Sequence, residues 1–171
     1  MNRDETKKAL EELRKYVIQQ SKSNLSRLGK NSSKNLYNSI DGEVEAFPNS
    51  IQILFTMEEY GFFQDQGVSG INKKYNTQFS YKSKMPPPKV FDKWIVRKGI
   101  APRDKNGKFI SRKSLKFLIA RSIFKNGIKP SLFFTKPFEN AIKRMPEEIT
   151  KAYGLDASKL INSIMRQNFT Q

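Results

Sequence analysis

The chain has 171 residues, 37% of them hydrophobic, and a formal net charge of +16 with no histidine and no cysteine. Those figures fit one domain with a lean core. They exclude disulfide staples, thiolate chemistry, any Ser/His or Cys/His triad and the commonest metal ligand, so an enzyme would have only carboxylates, Lys or Tyr.

Residues 1–28 read as a helix: Leu10, Leu13 and Val17 recur at helical spacing, Glu11, Glu12, Arg14 and Lys15 lie opposite, and Gly29 stops it. Lys30 to Ser39 is mostly polar, with Leu36, Tyr37 and Ile40 as a short apolar face before the Asp41-Gly42 turn signal. A hairpin over about 43–58 follows. Glu43 to Phe47 alternates, Pro48-Asn49-Ser50 turns, and Ile51, Ile53, Phe55 and Met57 recur with period two. Leu54 on the other face predicts a strand buried on both sides over part of its length. Tyr60 to Gly67 is an aromatic, glycine-punctuated segment ending in a turn, and 71–85 reads as loop.

Pro86-Pro87-Pro88 leads into a helix with Val90, Phe91, Trp94 and Ile95 at helical spacing, ended by Gly99. Arg103 to Lys108 is a polar turn. Ser111 caps a second helix whose apolar face is Leu115, Leu118, Ile119 and Ile123, closed by Gly127. Thr135 and Pro137 open a helix carrying Phe138, Ala141, Ile142 and Met145. Pro146 breaks and restarts it, with Glu147 and Glu148 in the new first turn. Gly154 is expected to end that helix, and Asp156 to cap a last short one with Leu160, Ile161, Ile164 and Met165. The expected fold is α+β, a single domain over 1–171. A small antiparallel sheet packs with an N-terminal helix, an inserted basic helix pair and C-terminal helices, the insertion spanning about 71–129.

That insertion holds 17 basic residues against only Asp92 and Asp104, a net +15, whereas the flanks together carry 15 basic and 14 acidic residues. Charge confined in this way marks a region that meets something negative, nucleic acid or an acidic protein surface. Arg103, Lys105, Lys108, Arg112, Lys113 and Lys116 are the candidate contacts. Tyr75, Phe79, Tyr81, Phe91, Trp94 and Phe109 interleave with the cations. The simpler expectation makes Phe91, Trp94 and Ile95 the buried side of a helix whose Lys93, Arg97 and Lys98 face water. The long turn from Gly99 to Ser111 does not fit a helix-turn-helix, which argues against sequence-specific readout.

Catalysis is not expected, and neither is a cofactor. The carboxylates fall mostly as neighbours (Glu11/Glu12, Glu58/Glu59, Glu147/Glu148), which point apart on helix or strand. Asp65, Asp92 and Asp104 match no metal-ligand spacing, and neither GxxxxGK[ST] nor GxGxxG occurs. Met1 to Leu13 is charged throughout, unlike a signal peptide, and the longest apolar runs fall far short of a membrane span. The expectation is a soluble intracellular product.

Three segments resemble, in order, the tail-completion or head–tail joining (neck) proteins of tailed bacteriophages. Ser33-Lys34-Asn35-Leu36-Tyr37-Asn38-Ser39-Ile40 is similar to the step after that family's first helix. Tyr60-Gly61-Phe62-Phe63-Gln64-Asp65-Gln66-Gly67 resembles its Tyr-Gly/Ala-x-aromatic-x-Asp/Glu-x-Gly segment. Lys129 to Ile142, with Pro130, Phe133, Phe134 and Pro137, looks like its step into a closing helix. The interval from Gly67 to Pro130 is longer than in typical members.

The resemblance implies a non-enzymatic structural virion protein. It would be a homo-oligomeric ring, sixfold with twelvefold as the alternative, at the neck or tail top, assembled in the host cytoplasm. Its implied neighbours are portal, adaptor or tail proteins, with DNA in the lumen and no membrane. Tyr60, Phe62, Phe63, Asp65, Phe133, Phe134 and Phe138 are the candidate intersubunit contacts; ordinary core packing is the competing account of Phe133, Phe134 and Phe138. The rival function is a non-specific nucleic-acid-binding protein using 71–129, and a weaker one is a metal-dependent nuclease.

Overall fold

A computed structural model describes residues 4–47 and 50–169, with side chains up to residue 162. It is α+β, with seven α-helices and one two-stranded antiparallel sheet among the described residues. The chain forms two compact units: Met1–Leu25, Tyr37–Met57 and Phe133–Gln171 build the first, Ser26–Leu36 and Glu58–Leu132 the second.

In the first unit, the 3–4 spacing of apolar residues in α1 (Asp4–Arg27) buries Leu13, Val17 and Leu25 along one stripe. β1 (Asp41–Ala46) and β2 (Ile51–Thr56) pair with Val44 opposite Ile53 and Gly42 opposite Phe55. Ile53 and Phe55 pack onto Leu13 and Val17, together with Ala141 of α6 (Thr135–Arg144). Phe55 meets Phe134 and Phe138 edge-on at 5.4 and 6.0 Å, and those two rings stack at 6.0 Å. Complete burial of a side chain such as Val17 or Leu25 contributes about 1.5–3 kcal/mol.

Leu54 departs from the expectation of a strand covered on both sides: it is 46% exposed. Its cross-strand partner is Glu43, and Asp41 and Glu45 share that face. Only the other face of this two-stranded sheet has a helix layer to pack against. The turn expected at Pro48-Asn49 falls outside the described residues, and beside it the Phe47 N–H donates to the Ser50 carbonyl at 2.8 Å.

The break at Pro146 is present, because α6 ends at Arg144 and α7 (Pro146–Phe169) begins with Glu147 and Glu148 in its first turn. Gly154 does not end that helix. A helical glycine costs only about 1 kcal/mol relative to alanine, which the residues on either side outweigh here. A Cβ added at Gly154 would meet no atom within 4 Å. Gly154→Ala is therefore expected to stabilise the chain by about 0.5–1 kcal/mol in urea unfolding.

Asp156, expected to cap a helix of its own, lies inside α7 with 1% exposure and caps α1 instead. Its carboxylate accepts from Thr6 N–H at 2.9 Å, Thr6 Oγ1 at 2.7 Å and Glu5 N–H at 3.2 Å. These are unsatisfied first-turn groups of α1. Ile164 and Met165 fall outside the side chains described.

Burial alone would raise the Asp156 carboxyl, but the bonds from Thr6 and Glu5, helped by Lys159, hold it below its ordinary value of 3.8. The folded carboxyl binds its proton less tightly than the unfolded one. Its stabilisation is therefore complete above 3.8 and is lost as pH falls through the lower folded value. Asp156→Asn should cost about 1–2 kcal/mol at neutral pH and flatten the loss of stability as pH falls below about 4, measured by urea titration.

In the second unit, Tyr60–Gln66 is a short helix, α3, rather than an irregular segment, and Gly67 at φ +77° ends it. The loop 71–85 has no regular element but is tied down: Ser69 N–H donates to the Phe79 carbonyl, Tyr81 N–H to the Ser69 carbonyl and Tyr75 N–H to Ser69 Oγ. A 3-10 turn, Pro88–Phe91, runs into α4 (Asp92–Arg97), and Ser111 caps α5 (Arg112–Asn126) by accepting from Ser114 N–H at 3.1 Å. A further five-residue helix, α2 (Asn35–Ser39), too short to show a period in the sequence, begins in the second unit and ends in the first.

Of the apolar faces expected for the basic pair, Ile95 and Leu115 are buried. Val90 at 62%, Trp94 at 39% and Leu118 are exposed. The pitch changes from three residues per turn in the 3-10 turn to 3.6 in α4, so the stripe from Val90 to Ile95 does not stay on one face. No described helix is long and apolar enough to cross a membrane.

Candidate polyanion-binding surface

The basic segment leaves and rejoins the second unit through a backbone clasp. Val68 N–H donates to the Ile128 carbonyl at 2.9 Å and Ile128 N–H returns a bond to Val68 at 2.8 Å. Beside them Ser131 and Leu132 N–H both donate to the Asp65 carbonyl, at 3.0 and 2.9 Å. The two segments approach too closely for side chains: a Cβ at Gly70 would lie 2.2 Å from the Lys125 carbonyl, and one at Gly127, where φ is +72°, 2.1 Å from that of Val68.

Beyond the clasp, both acidic residues of the segment are occupied. Asp104 Oδ1 accepts from Asn106 and Lys108 N–H, each at 2.9 Å, and shapes a tight loop closed by a bridge between Arg103 and Phe109. The Arg103 guanidinium covers the Phe109 ring at 3.9 Å, a cation–π contact, and donates to the Gly107 carbonyl. Asp92 Oδ1 lies 3.1 Å from Lys116 Nζ as an ion pair without hydrogen-bond geometry. Among the described residues that is the one salt bridge made by the cations of 71–129.

The two units divide the charge sharply. The second holds 20 basic and 5 acidic residues, a net +15, and the first 12 and 11, a net +1. Arg112 and Lys113 occupy the first turn of α5, where the helix dipole disfavours cations by about 0.3–1 kcal/mol each.

The second unit also contains a groove of about 920 Å³. Its apolar lining includes Val90, Phe91 and Trp94, together with Ile119 and Ile123 of α5. Three cations line it (Lys30, Arg97 and Lys98) and no carboxylate does. Lys98 Nζ donates to the Gly29 carbonyl at 3.0 Å and Lys30 Nζ to Gln64 Oε1 at 3.0 Å, both neutral partners. Burial pulls the Lys30 ammonium below the usual lysine range, with Asp65 acting in the opposite sense.

No protein-family model, curated protein sequence or solved structure matches the chain. Arg103, Lys105, Lys108, Arg112 and Lys113 are all exposed, on the 103–109 loop and the first turn of α5. Lys116 is drawn to Asp92 instead. Tyr60, Phe62, Phe63 and Phe138 are exposed, although Phe63 already packs edge-on to Phe79 at 4.7 Å. Asp65 is buried and Phe133 fully so, and Phe134 is held in the Phe55 cluster. Asp65, Asp92 and Asp104 do not converge, and among the described residues no three acidic side chains are placed to hold a metal ion.

Sequence reasoning missed the clasp and the groove. Glycines at both ends of the basic segment, Gly67, Gly70 and Gly127, were the available signal for the first. The sequence carries a second charge feature: residues 35–72 contain six carboxylates and no lysine or arginine.

Proposed function

We propose that this chain is a structural subunit of the tail-completion or head–tail joining class, a ring-forming neck or tail-top component of a tailed bacteriophage with no catalytic role. The clasp carries this reading. The two most distinctive segments of the resemblance, Tyr60–Gly67 and the one opening at Lys129, join through the bonds from Ser131 and Leu132 to Asp65. The additional basic helix pair issues from between them. In the ring, the +15 surface of each second unit faces the DNA path or an acidic neighbouring ring, portal or adaptor.

Large apolar side chains exposed on both units, among them Phe62, Val90, Phe117, Ile142 and Leu155, suit a subunit that completes its burial against other chains. The test is mass photometry and negative-stain imaging of the purified full-length protein, with one closed, rotationally symmetric oligomer as the expected result.

A second reading is favoured by the cations of 71–129 that have no carboxylate partner: a free, sequence-independent nucleic-acid binder. A strictly monomeric protein that binds duplex DNA tightly, with affinity falling steeply as salt rises, would install this reading in place of the first.

A further inference from the structure

The outward face of the hairpin is acidic. Directly opposed residues of an antiparallel pair share a face, so Asp41, Glu43 and Glu45 form a row on β1, across from Thr56, Leu54 and Gln52 on β2. Alternate residues place these carboxylates about 6.5–7 Å apart along the strand. Gln52 Nε2 donates to Glu45 at 2.7 Å, and Arg14 Nη1 approaches Asp41 only to 3.8 Å while donating to the Gly42 carbonyl at 2.8 Å. Of the row, Arg14 pairs with Asp41 alone, and the Gln52 amide is neutral, so the row keeps a net negative charge at Glu43 and Glu45. Leu54 stands exposed in its middle.

The groove of the second unit is the complement of this face. It offers an apolar floor to a leucine, three cations to three carboxylates, and no acid of its own. Phosphates alone would leave the aliphatic part of that floor, Val90, Ile119 and Ile123, without a counterpart, whereas a strand face with an apolar centre covers it.

We infer that the acidic hairpin face of one copy docks in the basic-edged groove of the next copy. The inference rests on the ring reading and specifies its subunit contact. A face and a different, complementary groove on the same chain make a heterologous, head-to-tail contact, the kind that closes into rings. Charge complementarity fixes the order of subunits, and Leu54 against Trp94 and Val90 supplies apolar burial.

The test uses two full-length variants, Glu43→Lys/Glu45→Lys and Arg97→Glu/Lys98→Glu, followed by sedimentation velocity and mass photometry. Each alone brings like charges together and should weaken self-association at least about 100-fold. Mixed in equal amounts, each supplies the face that the other needs, and assembly should return to within about tenfold of wild type. If a reversal unfolds the chain by circular dichroism, the Gln pairs at the same positions replace it, with a loss of about tenfold expected. Folded variants that assemble like wild type overturn the contact and leave the ring intact. So does a mixture that stays dissociated. A wild-type chain that never self-associates overturns the ring and the contact together.

Discussion

Gly127→Ala is expected to lower the melting temperature by roughly 6–12 °C, from a loss of about 3 kcal/mol at about 2–4 °C per kcal/mol in a chain of this size. Two costs combine. The residue sits at φ +72° and ψ −167°, a backbone region adopted essentially only by glycine, and an added Cβ would lie 2.1 Å from the Val68 carbonyl. The carbonyl cannot retreat, because it accepts the Ile128 N–H that holds the clasp. Gly107→Ala separates the two costs: φ there is +77°, but nothing lies within 4 Å of the added carbon. That variant should lose only about 1 kcal/mol. Equal melting temperatures for the two variants would mean that the clasp does not constrain the base of the basic segment.

Reversing Lys105, Lys108, Arg112 and Lys113 to Glu should reduce affinity for duplex DNA, or for another polyanion such as heparin, at least about 100-fold at physiological salt. The net charge would fall by eight, from +16 to +8. If all four meet phosphates, the slope of log affinity against log salt should shrink by about 3–4, at about 0.9 per lost contact. Reversing Lys7, Lys8, Lys15 and Lys151, exposed cations of the first unit, changes net charge equally and should leave affinity within about threefold. Fluorescence anisotropy over a salt series reads both variants. Equal losses would mean that the charge acts as a general field and not as a located surface. Loss of folding is not the expected cause, since Arg112→Glu puts a carboxylate where the α5 dipole favours one.

The α+β class, α1, the hairpin, α5 and the Pro146 break were legible because each has a long enough period or a local signal. Ser111 could be named as a cap because its partner, Ser114, is three residues away. Asp156 could not be placed correctly, because its partner Thr6 is 150 residues distant and nothing local to Asp156 encodes the pairing. Gly154 misled for a related reason: glycine is a frequent helix terminator, but packing along α7 outweighs its small local cost.

The same division holds for the candidate site. Exposure of the 103–109 loop and the first turn of α5 followed from polarity and the Asn-Gly step. Composition could not distinguish the exposed Phe62 from the buried Phe133, two aromatics in similar short segments, or foresee that Lys116 would face Asp92. The net charge does not reveal the acidic run 35–72, because a sum over the chain cancels its six carboxylates against a larger surplus of cations.

The occupation of Asp92 and Asp104 within their own segment, in a chain without histidine, has a consequence for control. No imidazole is present to register a change between about pH 5.5 and 8, the interval in which that group ordinarily switches. This surface therefore has no imidazole of its own for acidification to switch, and a contact made through its cations responds to ionic strength. Polyanion affinity should hold constant across that pH interval at fixed salt, and change by orders of magnitude with salt at fixed pH. A rise in salt concentration, and not a fall in pH, is then the change that loosens a contact made through this surface.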